Sequence, residues 1–203
     1  MMVSLGEQYR CPKGPQGRLV AARMNRHHEK LTLWGLTKIT VGSTFVVLDV
    51  GCGGGKTVNR LAQLTSHGKI FGIDYSPDMV EFSKRINKTL IAENRVEIVE
   101  GSVEKMGFKE AFFDLVTAFE TYYFWPNLSG AFKEIRRVLK PGAKLLLVNE
   151  LKYGATPAKV VEETRVKLYP LKEIQTLIQS IGFIGVQVFT EANSDWNAIV
   201  AEA

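Results

Sequence analysis

The run Asp49-Val50-Gly51-Cys52-Gly53-Gly54-Gly55 holds the densest chemistry in this chain. It follows the apolar stretch Phe45-Val46-Val47-Leu48 and leads into a helix-patterned segment from Thr57 to Thr65. A buried strand that ends in an acid and a glycine-rich turn, then enters a helix, is a nucleotide-binding corner. Glycine lets the backbone approach a ligand closely, and the N–H groups at the head of the helix point into the same space. The spacing discriminates among nucleotides. A dinucleotide fingerprint needs G-x-G-x-x-G, but counted from Gly51 its third glycine falls on Lys56, and from Gly53 on Val58. A P-loop needs G-x-x-x-x-G-K-[ST]; Gly55-Lys56-Thr57 fits its end, while its first glycine falls on Val50. Asp49 would also place a carboxylate beside a phosphate cradle, and Val148-Asn149-Glu150 offers no magnesium-binding aspartate. The pattern D-x-G-x-G-x-G is met at every position.

Two further groups of residues have types suited to chemistry. Phe119-Glu120-Thr121-Tyr122-Tyr123-Phe124-Trp125-Pro126 carries four consecutive aromatics, which fit neither an amphipathic helix nor a half-buried strand. They either pack beneath the N-terminal segment or meet an apolar or aromatic ligand by stacking and cation–π contact. Glu120, Tyr123, Trp125 and, further on, Glu150 are candidates for contacting a substrate. His27 and His28 lie in Met24-Asn25-Arg26-His27-His28-Glu29-Lys30-Leu31. Either can serve as a general base, but neighbours on a helix point about 100° apart, so at most one is expected to do so. The default for such a pair is a solvated surface. No third ligand stands at a sensible spacing from it, so no metal site is expected. Cys11 and Cys52 make neither a disulfide framework nor a zinc site.

The elements that must position these residues alternate along the chain. Strand candidates are 45–50, 69–74, 96–100, 114–119, 143–149, 183–190 and 197–202. Helical stripes lie between them. Met79, Phe82, Ile86 and Leu90 share one face, with Ser76 placed to cap and Pro77 at the first helical position. Leu128, Phe132, Ile135, Val138 and Leu139 form another, expected to stop at Pro141-Gly142, and Leu171, Ile174, Leu177, Ile178 and Ile181 a third, closed by Gly182. This alternation predicts an α/β fold, a Rossmann-like doubly wound sheet of seven strands with helices on both faces. The sheet is mostly parallel, and its last two strands, joined by a short polar link, form an antiparallel hairpin at one edge. Ligands of such sheets bind outside the carboxyl ends of the strands. Residues 1–43 are expected to be a helical arm or lid belonging to the same domain as 44–203. Residues 1–40 hold seven bases against two acids, the whole of the chain's net charge of +5. A basic arm can attract an anionic substrate or nucleic acid; the default reading is a solvated, amphipathic N-terminal helix. The N-terminus has no apolar signal core and no run reaches a membrane span, so a soluble cytoplasmic protein without membrane contact is expected.

The segment Val47-Leu48-Asp49-Val50-Gly51-Cys52-Gly53-Gly54-Gly55 resembles motif I of the class I S-adenosylmethionine-dependent methyltransferases. Phe71-Gly72-Ile73-Asp74-Tyr75-Ser76, Phe113-Asp114-Leu115-Val116 and Glu134-Ile135-Arg136-Arg137-Val138-Leu139-Lys140-Pro141-Gly142-Ala143 match later landmarks in the family's order. The likeness covers roughly residues 45–150. It implies S-adenosyl-L-methionine as cofactor and S-adenosyl-L-homocysteine as product, with Asp49, Gly51, Cys52 and Gly53 at the methionine end. Asp74 would accept from the ribose hydroxyls, Tyr75 would lie against the adenine, and Phe119 would border the site. Where many relatives read Gly-Asp after strand 3, this chain reads Gly101-Ser102-Val103-Glu104, so Ser102 and the Val103 N–H, or Glu104, would meet the adenine. The Asn/Asp-Pro-Pro-Tyr/Phe motif of many nucleic-acid amino methyltransferases is absent. The expected function is therefore in-line methyl transfer to a small-molecule acceptor beneath the arm, which 152–167 would help to close. The alternatives are RNA or protein methylation guided by the basic arm, a nucleotide-binding module without turnover, and, last, a P-loop NTPase. Acceptor identity and oligomeric state have no signal in the sequence.

Overall fold

The structure, a computed structural model, describes residues 5–203. Seven strands form one sheet: β1 (Val46–Val50), β2 (Lys69–Asp74), β3 (Val96–Glu100), β4 (Phe113–Phe119), β5 (Leu139–Asn149), β6 (Ile184–Thr190) and β7 (Asn197–Glu202). Their spatial order is β3-β2-β1-β4-β5-β7-β6. All pairings among β1 to β5 are parallel, and β7 runs antiparallel to both β5 and β6. The doubly wound sheet with an antiparallel hairpin at one edge is the expected architecture.

The central strands are apolar on both faces, which is why they lie between two layers of helix. On one face Leu48, Val116, Leu145 and Leu147 pack with Phe132 and Ile135 of α7 (Leu128–Val138) and with Ile174 and Ile178 of α9 (Leu171–Ser180). On the other, Val47, Leu115 and Leu146 meet Val58 and Leu61 of α4 (Lys56–Leu64), Val80 of α5 (Pro77–Ile86) and Leu31 of α3 (Glu29–Leu36). Each such side chain, taken wholly out of water, contributes about 1.5–3 kcal/mol. Caps set the helix starts: Ser76 accepts from the Met79 N–H at 3.4 Å, and Asn127 from the Gly130 N–H at 3.0 Å.

Two boundaries differ from the sequence expectation by more than one residue. The stripe from Met79 to Leu90 is two helices, α5 and α6 (Lys88–Ala92), broken at Asn87. The Asn87 amide is drawn inward and donates to the carbonyls of Gly55 and Ser83, both at 3.0 Å. Likewise α7 ends at Val138 rather than at Pro141-Gly142, and β5 begins at Leu139. The register jumps from Phe113↔Leu139 to Leu115↔Lys144, so Pro141 and Gly142 sit in a bulge that removes the proline from the ladder.

The N-terminal helices α1 (Leu5–Arg10) and α2 (Gly14–His27) contribute residues to the cavity at the carboxyl edge of the sheet, and α3 continues from them onto its face. The arm is fastened by hydrogen bonds from the Gly14 N–H to Asp78 (3.1 Å), from the Ser76 hydroxyl to the Pro12 carbonyl (3.2 Å) and from the Tyr75 hydroxyl to the Arg10 carbonyl (2.6 Å). α1 also rests on α8 (Ala158–Thr164), so closely that a Cβ on Gly6 would run into the Glu163 carbonyl. Among the described residues no helix is long and apolar enough to cross a membrane.

Candidate active site

The glycine turn is stapled to the end of β2. Parallel pairing sets Val50 beside Ile73, and the N–H groups of Gly51 and Cys52 donate to the Ile73 carbonyl at 2.8 and 3.1 Å. Asp74, one residue on, accepts from the Gly53 N–H at 2.8 Å and the Ser76 N–H at 2.9 Å. Gly51 has φ +70°, and a Cβ there would strike the Thr121 side chain, so the position requires glycine on both counts. The Asn25 amide, from α2, donates to the Gly54 carbonyl at 3.3 Å and ties the arm to the turn.

Asp49 is wholly buried, with the Thr117 hydroxyl donating to it at 2.8 Å. Burial pushes its carboxyl up to about 7; the Thr117 bond opposes that rise and the nearby Asp74 adds to it. Burial also raises Asp74, against the N–H donors of Ser76, Gly53 and Tyr75. Among the described residues no salt bridge reaches either carboxylate. Two buried acids without a cation make a site that gains from a positively charged ligand. A sulfonium with an ammonium-bearing tail has that charge; a nucleoside triphosphate has the opposite one. Lys56, which a P-loop would turn inward, is exposed and off the cavity wall. Cys52 is buried and its thiol is pushed up, mainly by burial, so its role here is that of backbone.

These groups border a cavity of about 390 Å³. Asp49, Gly51, Cys52, Gly53, Asp74, Tyr75, Ser102, Val103 and Phe119 all line it. So do Tyr9, Arg10, Met24, Asn25 and His28 from the arm, together with Thr121, which sequence reasoning did not single out. Glu104 is exposed and away from the wall, leaving Ser102 and Val103 on that side. Thr117 was missed as well, although a lone hydroxyl residue within the apolar run 115–119 was the available signal.

Glu120 also lines the cavity. It follows β4 in the left-handed region, φ 58°, an unusual conformation for a residue with a side chain. Its buried carboxylate accepts from the Tyr123 hydroxyl at 2.7 Å and from the Glu150 N–H, while burial holds it up at about 7. His28 stands with Nε2 3.9 Å from Glu120, also on the wall, and is drawn down to about 4 by burial and by His27. The histidine pair is thus not a solvated surface: His28 faces inward, and only His27 is exposed, 3.0 Å from Glu150. The aromatics divide similarly. Tyr122, Tyr123 and Trp125 are buried in the core, while Phe124 and Trp125 reach the cavity. Tyr123 itself, like His27 and Glu150, is not on the wall.

Residues 48–147 match the model of the family described as methyltransferase domain. The chain is 33% identical over 130 residues to the demethylmenaquinone methyltransferase of Lactiplantibacillus plantarum, covering 63% of this chain and 53% of that protein. It is 31% identical over 137 residues to the sterol 24-C-methyltransferase of Saccharomyces cerevisiae, covering 68% of this chain and 34% of that one. The matched region thus spans a third to a half of the length of these curated relatives. In fold, the chain superposes on an S-adenosylmethionine-dependent methyltransferase from Aquifex aeolicus with a TM-score of 0.77 at 19% identity, covering 91% of this chain and 97% of that one. A chain of the complex between the Haloferax volcanii Trm112 methyltransferase activator and a methyltransferase gives 0.85 at 16% identity, covering 100% and 99%. With the D-x-G-x-G-x-G turn, the paired buried acids and the sheet order in agreement, the chain belongs to the class I S-adenosylmethionine-dependent methyltransferases.

Proposed function

We propose that this chain methylates a small-molecule acceptor held beneath the N-terminal arm, residues 1–43 serving as the lid of the domain formed by 44–203. The observation that carries the reading is the continuous cavity running from Asp49 and Asp74 to Glu120, His28 and Trp125, roofed by α2. Its volume of about 390 Å³ is in the range of small-ligand sites, and residues of α1 and α2 line it from the arm.

S-adenosylmethionine, when bound, supplies an electrophilic methyl group on a sulfonium. The residues of the chain do the rest. Asp49 and the Gly51–Gly53 backbone hold the methionine end, where the ammonium meets the buried carboxylate. Asp74 keeps acceptor capacity beyond its bonds from backbone N–H groups, and this suits the ribose hydroxyls. Ser102, Val103 and Tyr75 border the adenine. Phe124 and Trp125 place an apolar surface beside the acceptor, and Glu120 offers a carboxylate to its polar atom. Methyl transfer from a sulfonium is an in-line displacement, so fixing this alignment and excluding water supplies much of the rate. The arm does both, through its bonds to Gly54, Ser76 and Asp78.

Thermal denaturation with S-adenosylmethionine, S-adenosylhomocysteine, NAD and ATP tests the cofactor half. The first two should raise the melting temperature; a rise with ATP alone overturns the assignment. The acceptor half is tested by turnover on a panel of small polar and isoprenoid acceptors against RNA and protein. Binding to RNA that falls steeply with salt, accompanied by methylation of it, would favour a polymer acceptor instead.

A further inference from the structure

Beside the cofactor pocket the fold gathers four more side chains able to do chemistry. His27 and His28 are consecutive, and on one continuous helix their imidazoles would diverge by about 100°. The helix breaks instead: α2 ends at His27, His28 takes φ −81° and ψ 4°, and α3 starts at Glu29. The two rings stand edge to face with centroids 5.2 Å apart. Two carboxylates meet them from the carboxyl edge of the sheet. Glu150 follows β5 and lies 3.0 Å from His27 Nε2. Glu120 follows β4 and lies 3.9 Å from His28 Nε2. One ligand atom from each of His27, His28 and Glu150 lies within 4.8 Å of the other two.

We infer that His27, His28 and Glu150 form a site for a divalent transition-metal ion at the rim of the acceptor end of the cavity. Two imidazoles and one carboxylate suit zinc, cobalt, iron or manganese, and contain too much nitrogen for magnesium or calcium. Donor atoms about 2.1 Å from one tetrahedral ion stand roughly 3.4 Å apart. Rotation of the His27 side chain, 63% exposed, can bring the trio to that spacing. The position explains what such an ion does. His28 and Glu120 are on the cavity wall, whereas His27 and Glu150 lie just outside it, so an ion between them borders the acceptor rather than the cofactor. Three protein ligands leave a coordination position open, and an oxygen or nitrogen of the acceptor can fill it and be oriented there. Glu120 stands behind His28 as an outer carboxylate, itself fixed by the Tyr123 hydroxyl and the Glu150 N–H. The site is invisible to spacing in sequence because its third ligand lies 123 residues along the chain from His27.

The acceptor role rests on the proposed methyl transfer; binding of the ion does not. The test uses the untagged full-length protein titrated with cobalt(II), read by its visible ligand-field absorption. Wild type should bind a single ion per chain with the strong absorption of a low-coordinate site. His27→Ala and Glu150→Gln should each weaken binding by at least about tenfold, while His67→Ala, on the distant end of the sheet, should not change it. Melting temperatures with and without S-adenosylhomocysteine show that each variant is folded and loads cofactor. Absence of the absorption in wild type, or its persistence unchanged in His27→Ala and Glu150→Gln, overturns the metal site. If cobalt fails to bind while S-adenosylhomocysteine still stabilises the protein, only this inference falls. If cobalt binds as described and no cofactor stabilises the protein, it is the methyltransferase reading that fails.

Discussion

The buried carboxylate of Asp49 should make cofactor binding depend on pH in a range where the charges of the ligand stay nearly constant. Without ligand its carboxyl titrates at about 7. An ammonium-bearing ligand binds the ionised form, so protons compete with it below that value. Between pH 7.0 and 5.5 the competing factor, one plus ten to the power of pKa minus pH, grows from about 2 to about 33. S-adenosylhomocysteine should therefore bind about sixteenfold more weakly at the lower pH, a change of about 1.6 kcal/mol. Titration calorimetry at both values measures it. Asp49→Asn keeps the shape and the bond from Thr117, loses the charge, and should show weaker binding at pH 7 with little remaining slope. Stability should move the other way. The folded carboxyl titrates above the ordinary 3.8, so its protonated form contributes stability that is complete below about pH 4 and lost as pH rises through 7. Unliganded Asp49→Asn should accordingly melt higher than wild type at pH 8. A dissociation constant in wild type that is flat between pH 7.0 and 5.5, or an equal slope in Asp49→Asn, would refute the paired-acid account of the site.

Three substitutions probe the rest of the pocket. Asp74→Ala removes acceptors for the Gly53 and Ser76 N–H groups as well as for the ribose, so cofactor affinity should fall by at least about tenfold; calorimetry showing unchanged affinity removes the ribose role. Gly51→Ala forces a side chain into the left-handed region and against Thr121, and should cost about 1–2 kcal/mol in thermal or denaturant unfolding as well as cofactor binding. Tyr75→Phe keeps the ring and deletes the hydroxyl that holds Arg10 at 2.6 Å. Stopped-flow release of S-adenosylhomocysteine should speed up about fivefold if the arm is the lid, and an unaltered rate denies it that part.

Residues at both proposed ends of the cavity could be named from the sequence, but only the proposed cofactor end could also be assembled from it, for a physical reason. Asp49, Gly51 and Gly53 form one strand–turn–helix unit, and Asp74 reaches them through a single parallel pairing, so local patterns locate them. At the proposed acceptor end, strand pairing brings Glu120 beside Glu150, and His28 meets them only because the arm docks on the sheet. Nothing in local periodicity marks the helix break at His28 or the left-handed backbone of Glu120, since both are non-glycine positions imposed by packing. The docking does leave one trace. Gly35 sits inside α3, where glycine costs about 1 kcal/mol relative to alanine. A Cβ at Gly35 would come within 2.5 Å of a Val148 methyl on β5. That contact sets how deeply α3 settles on the strand leading to Glu150, and with it how near the histidines stand to the two acids. An unfavourable glycine inside a helix was therefore the sequence's record of a long-range approach, legible only once its partner was known.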